Sequence, residues 1–415
     1  MSVPSTPLEA FVSALLLQAG YNAALVAIGA GLLGIAAGAG GTFLFLRKRA
    51  LVSDAIAHAT LPGVGIAFLV MVGFGLDGRS LVGLLAGSAL SAALGLLCVE
   101  WITRRTRLAE DTAIGAVLSV FFGFGIVLLT VIQTQSQGRQ AGLEGFLLGS
   151  TAGMLYSDAV VIAVGGALAV VALVVLRRPM TLVCFDPGFA AALGLNTRRI
   201  DLAMMLLVLA VTVTGLKIVG LVLVVALLIV PPVAARLWSE RTDHVVLIAG
   251  AIGGVSGYAG AAMSAAAPGL PTGPIIVLFA FSLFLLSLAF APGRGVLAAA
   301  IRHRRFQLRL HRRQGLLSLA RGEPIFDPLT LKVLRREGLI RPDRVPTEAG
   351  RVEAGRALVD ERRFEVARRI HQDDPLSHRY DGLTPISAVL TGDEIDEIDR
   401  MLAAAAKLRR KEGAV

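Results

Sequence analysis

The chain reads as an all-α polytopic membrane protein of about nine transmembrane helices, followed by a small cytoplasmic α/β domain of winged-helix-like type. Three observations predict this. Apolar residues make up 55% of the 415 positions and charged residues only 17%, where a soluble domain carries about 25% charged residues. The apolar residues fall in long uninterrupted runs, each near the ~20 residues that a bilayer core requires. Charge then changes along the chain: residues 1–292 carry fifteen Lys/Arg and twelve Asp/Glu, and residues 293–415 carry twenty-five and eighteen. The organisation this implies is an amphipathic segment at 1–20, a transmembrane domain at 21–295, a basic juxtamembrane linker at 296–313 and a cytoplasmic domain at 314–415.

The apolar runs place spans at 21–46, 52–73, 80–102, 112–133, 155–176, 201–216, 219–238, 245–266 and 275–291. The first twenty residues have Glu9 as their only charge and no basic n-region, so no secretory signal peptide is expected. Orientation follows from the basic residues, because Lys/Arg-rich loops stay cytoplasmic. One set of loops holds Arg47, Lys48, Arg49, Arg104, Arg105, Arg107, Arg177, Arg178, Arg198, Arg199, Arg236 and Arg241, and the other only Arg79, Arg139 and Lys217. The N-terminus is therefore expected outside and the C-terminal domain in the cytoplasm of an inner-membrane protein. The Gly-rich stretch 134–154 reads as an outer loop or re-entrant segment, and PGLPTGP at 268–274 as a rigid outer turn.

The stretch 177–200 reads as the longest regular cytoplasmic connection. Asp186-Pro187 predicts a helix start, with Asp as cap and Pro in the first turn. Gly194 follows a short apolar piece, and Arg198 and Arg199 lead back into the membrane. A short helix on the cytoplasmic face is what a motor subunit would grip, and an amphipathic loop resting on headgroups has the same pattern. After Pro292-Gly293, residues 301–313 are strongly basic and suit an anionic leaflet surface. Beyond them the order helix, helix, turn-rich stretch at 338–347, helix predicts the winged-helix-like unit. Glu365, His371, Asp373, Asp374 and His378 could ligate a metal, but their spacing matches no standard motif and a solvated polar stretch has the same composition.

Ionisable groups inside a span are costly and point to function. Asp54 and His58 lie in the second span, four residues apart, so a helix carries them on one face. Carboxylate with imidazole suits zinc, manganese or ferrous iron, whereas Ca²⁺ and Mg²⁺ favour all-oxygen sites. A buried Asp–His hydrogen bond that ties helices together is the structural alternative. Pro62 lacks the N–H that would bond the His58 carbonyl, and Pro231 and Pro232 do the same to Leu227 and Leu228. Such carbonyls occur where a helix lines a cavity, and also at simple packing kinks. Asp158 and Asp201 sit at predicted span ends, and Glu100 with Trp101 reads as an interfacial anchor. Cys98 and Cys184 form no metal or redox motif. No G-x-x-x-x-G-K-[ST] loop occurs, and none of the five lysines follows a glycine, so no enzymatic ATPase site is expected in this chain.

These motifs resemble a known family. SDAIAHATLPGVGIAF is similar to the signature after the first span of permeases in the zinc/manganese/iron group of ATP-binding-cassette importers. VGLVLVVALLIVPPVAARL is similar to the second signature, with Pro232 where alanine is common. PTGPIIVLFAFSLFLLSLAFAPGRG resembles the last span, and the likeness covers residues 20–295. The resemblance implies a permease subunit working by alternating access, with Asp54 and His58 at cation-coordinating positions and 186–199 as the helix that couples to the ATPase. It implies a separate cytoplasmic ABC ATPase, a periplasmic or lipid-anchored metal-binding protein, and a second permease subunit, identical or not. No permanently bound cofactor is expected, only the transported manganese, zinc or iron ion. The tail after 300 resembles the winged-helix extension of some manganese and iron members, related to metal-dependent repressors; with a membrane tether, nucleic acid is not the expected partner. A secondary transporter driven by an ion gradient, and a membrane-tethered metal-responsive regulator, are the competing classes.

Overall fold

The computed structural model describes residues 7–76, 78, 80–134, 156–267, 270–370 and 383–412. All but Thr134 of the expected outer segment at 134–154, Pro268 and Gly269 of the 268–274 turn, and His371, Asp373, Asp374 and His378 lie outside these residues. The chain forms two compact units, Met1–Ala298 and Ala299–Val415.

Among its described residues, the first unit is built of helices joined by short turns. After α1 (Pro7–Leu15) come α2 (Tyr21–Leu46), α3 (Leu51–Gly73), α4 (Leu81–Arg105), α5 (Glu110–Thr134), α6 (Tyr156–Phe185), the short α7 (Pro187–Ala192), α8 (Thr197–Val219), α9 (Leu221–Trp238), α10 (Thr242–Ala265) and α11 (Thr272–Phe290). Among the described residues, eight helices are long and apolar enough to cross a membrane: α2 to α6, α8, α10 and α11. The ninth expected span, 219–238, is the shorter helix α9, separated from α8 by Gly220 at φ 77°. Only glycine takes that left-handed conformation without strain, and it lets one helix end and the next begin at a single residue. The chain is thus a multi-pass membrane protein.

The expected connection 177–200 is shorter than its composition suggests. Helix α6 runs on through Arg177, Arg178 and Pro179 to Phe185. Its 30 residues extend about 45 Å, well beyond a ~30 Å hydrocarbon core, so its last turns carry the arginines outside the apolar layer. Arg177 there pairs with Asp243 of α10 at 3.6 Å.

Small residues decide which helices touch. Helix α2 is buried along most of its length and packs most extensively on α10. A Cβ added to Gly34 would lie 2.1 Å from the Gly253 carbonyl oxygen, and one on Gly253 2.1 Å from that of Gly34. Gly38 meets Ala249, and Gly257 meets Ala30, in the same way. The backbones are therefore in direct contact, as small-residue seams between membrane helices permit. A second seam joins α3 to α4 through Gly63 and Gly87, again reciprocally. Helices α8 and α9 connect the α2/α10 group with the α3/α4/α5 group. Tyr258 of α10 donates its hydroxyl to the Leu15 carbonyl at 2.5 Å, fixing α1.

Helix α12 (Val296–Arg321) contains the basic residues 301–313 and leads into the second unit, where α13 (Pro328–Arg336), α14 (Glu348–Ile370) and α15 (Gly392–Glu412) follow. Leu316, Leu334, Leu339, Ile340 and Ala354 form one small core, and Ala367, Ile386, Leu390 and Ile398 another. The α/β winged-helix expectation is corrected here. The order helix, helix, turn, helix is present, but among the described residues there is no sheet, only an isolated antiparallel bridge between Ile340 and Pro346. Two hydrogen bonds flank it, Arg341 N–H to the Val345 carbonyl at 2.8 Å and Thr347 N–H to that of Leu339 at 3.0 Å. Pro342 and Pro346 remove two backbone donors from a ten-residue stretch, which is enough to stop a ladder from propagating.

The Arg363 guanidinium grips Asp399 through two hydrogen bonds, at 2.8 and 2.6 Å, joining α14 to α15. These hydrogen bonds hold the Asp399 carboxyl below its usual range. A carboxyl depressed in the folded state contributes stability above its ordinary value, about pH 4, and loses it as pH falls through the lowered value. Amide exchange in α15, corrected for intrinsic rates, is therefore expected to lose protection below about pH 4. Asp399→Asn should lower protection at neutral pH and flatten that pH dependence.

Candidate functional site

Helix α3 places the two predicted residues one turn apart. Asp54 lies in the first turn, where a carboxylate is favoured by the helix dipole, and His58 follows one turn later. The pair therefore sits toward the basic end of the span, about 10 Å in from the start of the helix, rather than at its middle. His58 Nε2 is 3.4 Å from Asp54 Oδ1. The His58 ring meets Phe122 of α5 edge-on, with centroids 5.1 Å apart. Its other nitrogen, Nδ1, is buried and has no hydrogen-bond partner among the described residues. Such an orphaned group costs about 1–3 kcal/mol. The Asp54 side chain keeps 37% of its exposure, so the carboxylate is reachable while the imidazole is held by packing.

Pro62 is buried inside α3, one turn beyond His58. Helix α5 approaches the α3 backbone there: a Cβ on Gly125 would stand 2.5 Å from Leu61 Cβ and 3.2 Å from Pro62 N. Pro231 and Pro232 lie buried within α9. The Leu228 carbonyl, released by Pro232, lies against α2, where a Cβ on Gly41 would be 2.0 Å from it. The two backbones are in direct contact at this point. Among the described residues, no group of three or more His, Cys, Asp and Glu side chains converges.

The segment 186–199 folds as its residues predict. The Asp186 side chain accepts from Phe189 N–H at 2.8 Å, and Pro187 opens α7. Gly194 turns the chain at φ 81°, and the Asn196 side chain caps α8 by accepting from Arg199 N–H at 3.1 Å. Phe189 and Leu193 are both more than half exposed, which leaves α7 with an apolar tip. Arg198 and Arg199 are exposed beside it.

Several contacts at this basic end escape the sequence. Arg47 makes a two-pronged ion pair with Asp201, at 3.1 and 2.8 Å, and also donates to the Val183 carbonyl at 3.2 Å. One guanidinium thereby ties the end of α2 to α6 and to the start of α8. Arg49 pairs with Glu110 of α5 at 2.8 Å. The only signal for either pair is an acid at the same predicted end of a span as a base.

A glycine-seamed bundle of membrane helices, with an ionisable pair inside one span and a capped helix exposed at the basic end, defines a membrane transport component rather than a soluble enzyme. Residues 21–291 match the ABC 3 transport family. The chain belongs to that family. It is 43% identical over 298 residues to the manganese transport system membrane protein MntC of Bacillus subtilis (strain 168), covering 72% of this chain and 67% of that one. It is 37% identical over 288 residues to the zinc transport system membrane protein TroC of Treponema pallidum (strain Nichols), covering 69% and 95%. Among solved structures it resembles PsaBC from Streptococcus pneumoniae in complex with Fab, with 28% identity, a TM-score of 0.59 and coverage of 69% of this chain and 97% of that one. The second unit lies beyond the family match.

Proposed function

We propose that this chain is the transmembrane permease subunit of an ABC importer for a divalent transition-metal ion, manganese, zinc or iron. The observation that carries the reading is Asp54 and His58 on one face of α3, with a buried imidazole nitrogen left unpartnered, in a chain whose relatives are named as manganese and zinc transport proteins. A separate ATPase subunit supplies the energy, an external binding protein delivers the metal, and a second permease subunit completes the pathway. Basic loops set the cytoplasmic side, with the N-terminus outside and the second unit inside. The metal then meets Asp54 and His58 late on its way in, close to the cytoplasmic mouth. Metal-resolved uptake tests this. Accumulation of Mn²⁺, Zn²⁺ or Fe²⁺ well ahead of Mg²⁺ and Ca²⁺ is expected, and equal rates for all five would contradict it.

The apolar tip of α7, with Asp186, Pro187, Gly194, Arg198 and Arg199 around it, is the part that meets the ATPase. Asp186→Ala removes the cap, which costs a short helix about 1 kcal/mol, or roughly five-fold in the population of its folded form. Metal transported per ATP hydrolysed is expected to fall by several-fold, with metal affinity unchanged. An unaltered ratio would place the contact elsewhere.

A further inference from the structure

At the junction of α4 and α8 lies an open cavity of ≈ 490 Å³, lined by Leu97, Glu100, Trp101, Arg104, Arg105 and Arg198, among others. Glu100 is paired with Arg104. Arg105 and Arg198 are exposed and have no carboxylate partner among the described residues. The cavity therefore carries two uncompensated guanidinium groups beside an indole. A separate feature of α4 leads to it. Leu90, Leu94, Leu97 and Trp101 recur at helical spacing and are each more than half exposed, so an apolar row about 16 Å long descends the outer face of the span into the cationic end. Charge at one end and a continuous apolar track at the other match the two parts of one molecule. Basic pockets between membrane helices at the cytoplasmic side hold anionic headgroups, and Arg presents its fork to phosphate oxygens.

We infer that this cavity is a binding site for an anionic phospholipid, its phosphate held by Arg105 and Arg198 and an acyl chain laid along Leu97, Leu94 and Leu90. Trp101 sits at the boundary between headgroup and chain, where interfacial indoles are enriched. Arg198 then contacts lipid as well as flanking α7, and the site needs only the membrane-embedded chain, not the ATPase.

The test is native mass spectrometry of the full chain, delipidated in neutral detergent and titrated with phosphatidylglycerol, phosphatidylcholine or inorganic phosphate. Preferential binding of phosphatidylglycerol is expected, weakened roughly five-fold in R198Q and about thirty-fold in R105Q/R198Q. Trp101→Ala, which leaves both arginines in place, should weaken both lipids by a few-fold. Millimolar inorganic phosphate should not displace the lipid. Wild-type lipid affinity in R105Q/R198Q overturns the site. Displacement by inorganic phosphate makes the ligand a soluble anion and overturns the lipid. Unchanged lipid binding with loss of ATPase co-purification assigns the arginines to the motor subunit instead.

Discussion

Replacing His58 with alanine is expected to reduce metal uptake to background while membrane insertion and folding stay intact. The variant removes the imidazole whose buried Nδ1 has no partner among the described residues, so no protein hydrogen bond at that atom is lost. Loss of the ring also vacates the edge-on contact with Phe122, an aromatic pair of about 0.5–1.5 kcal/mol, which a bundle of this size can absorb. Asp54→Asn tests the other half. It keeps the shape and removes the charge that draws a cation into the span, so uptake should fall by at least ten-fold. Uptake of radiolabelled metal, read beside the thermal stability of the purified chain, separates transport from folding. Wild-type uptake in His58→Ala would make the pair a structural hydrogen bond and remove it from the pathway.

The second large effect concerns the seam between α2 and α10. Gly34→Leu would drive a side chain into the Gly253 carbonyl, with Cβ at 2.1 Å. Backbone cannot yield as a flexible side chain can, so the helices must separate along their most extensive contact. Overpacking alone costs about 1–3 kcal/mol, and loss of the neighbouring contacts at Gly38 and Gly257 adds to it. The expected result is failure to recover monodisperse protein, or a large drop in its melting temperature. Gly115→Leu is the control. It places the same side chain on a membrane helix, where a Cβ meets nothing within 4 Å, and it should not destabilise the chain, since replacing a helix glycine is neutral to stabilising by about 0.5–1 kcal/mol. Similar behaviour of the two variants would mean that the seam is not what holds α2 in place.

The span pattern and the Asp54/His58 pair were legible in the sequence because both are local signals. A carboxylate and an imidazole stand out in an apolar run, and four-residue spacing needs no knowledge of the fold. Asp186 and Pro187 were legible for the same reason, since a helix cap acts within three residues. The Arg47–Asp201 pair was not, because its partners are 154 residues apart and each looks like an ordinary span end. Nor was the length of α6: Arg177, Arg178 and Pro179 together read as a loop, yet a helix already beyond the apolar layer tolerates charge, and its missing proline hydrogen bond can be replaced by water. The glycines announced close packing without saying which met which. The wing is not legible either way: a turn-rich stretch between helices suggests a hairpin, while its two prolines leave a single isolated bridge among the described residues.

The most direct test of the transport reading is metal uptake into proteoliposomes containing this chain, with its ATPase subunit present or absent, and with ATP or an imposed ion gradient as the energy source. Uptake only when ATPase and ATP are both present, and lost in His58→Ala, is the predicted result. Accumulation driven by a gradient without any ATPase would contradict it and make the chain a secondary transporter.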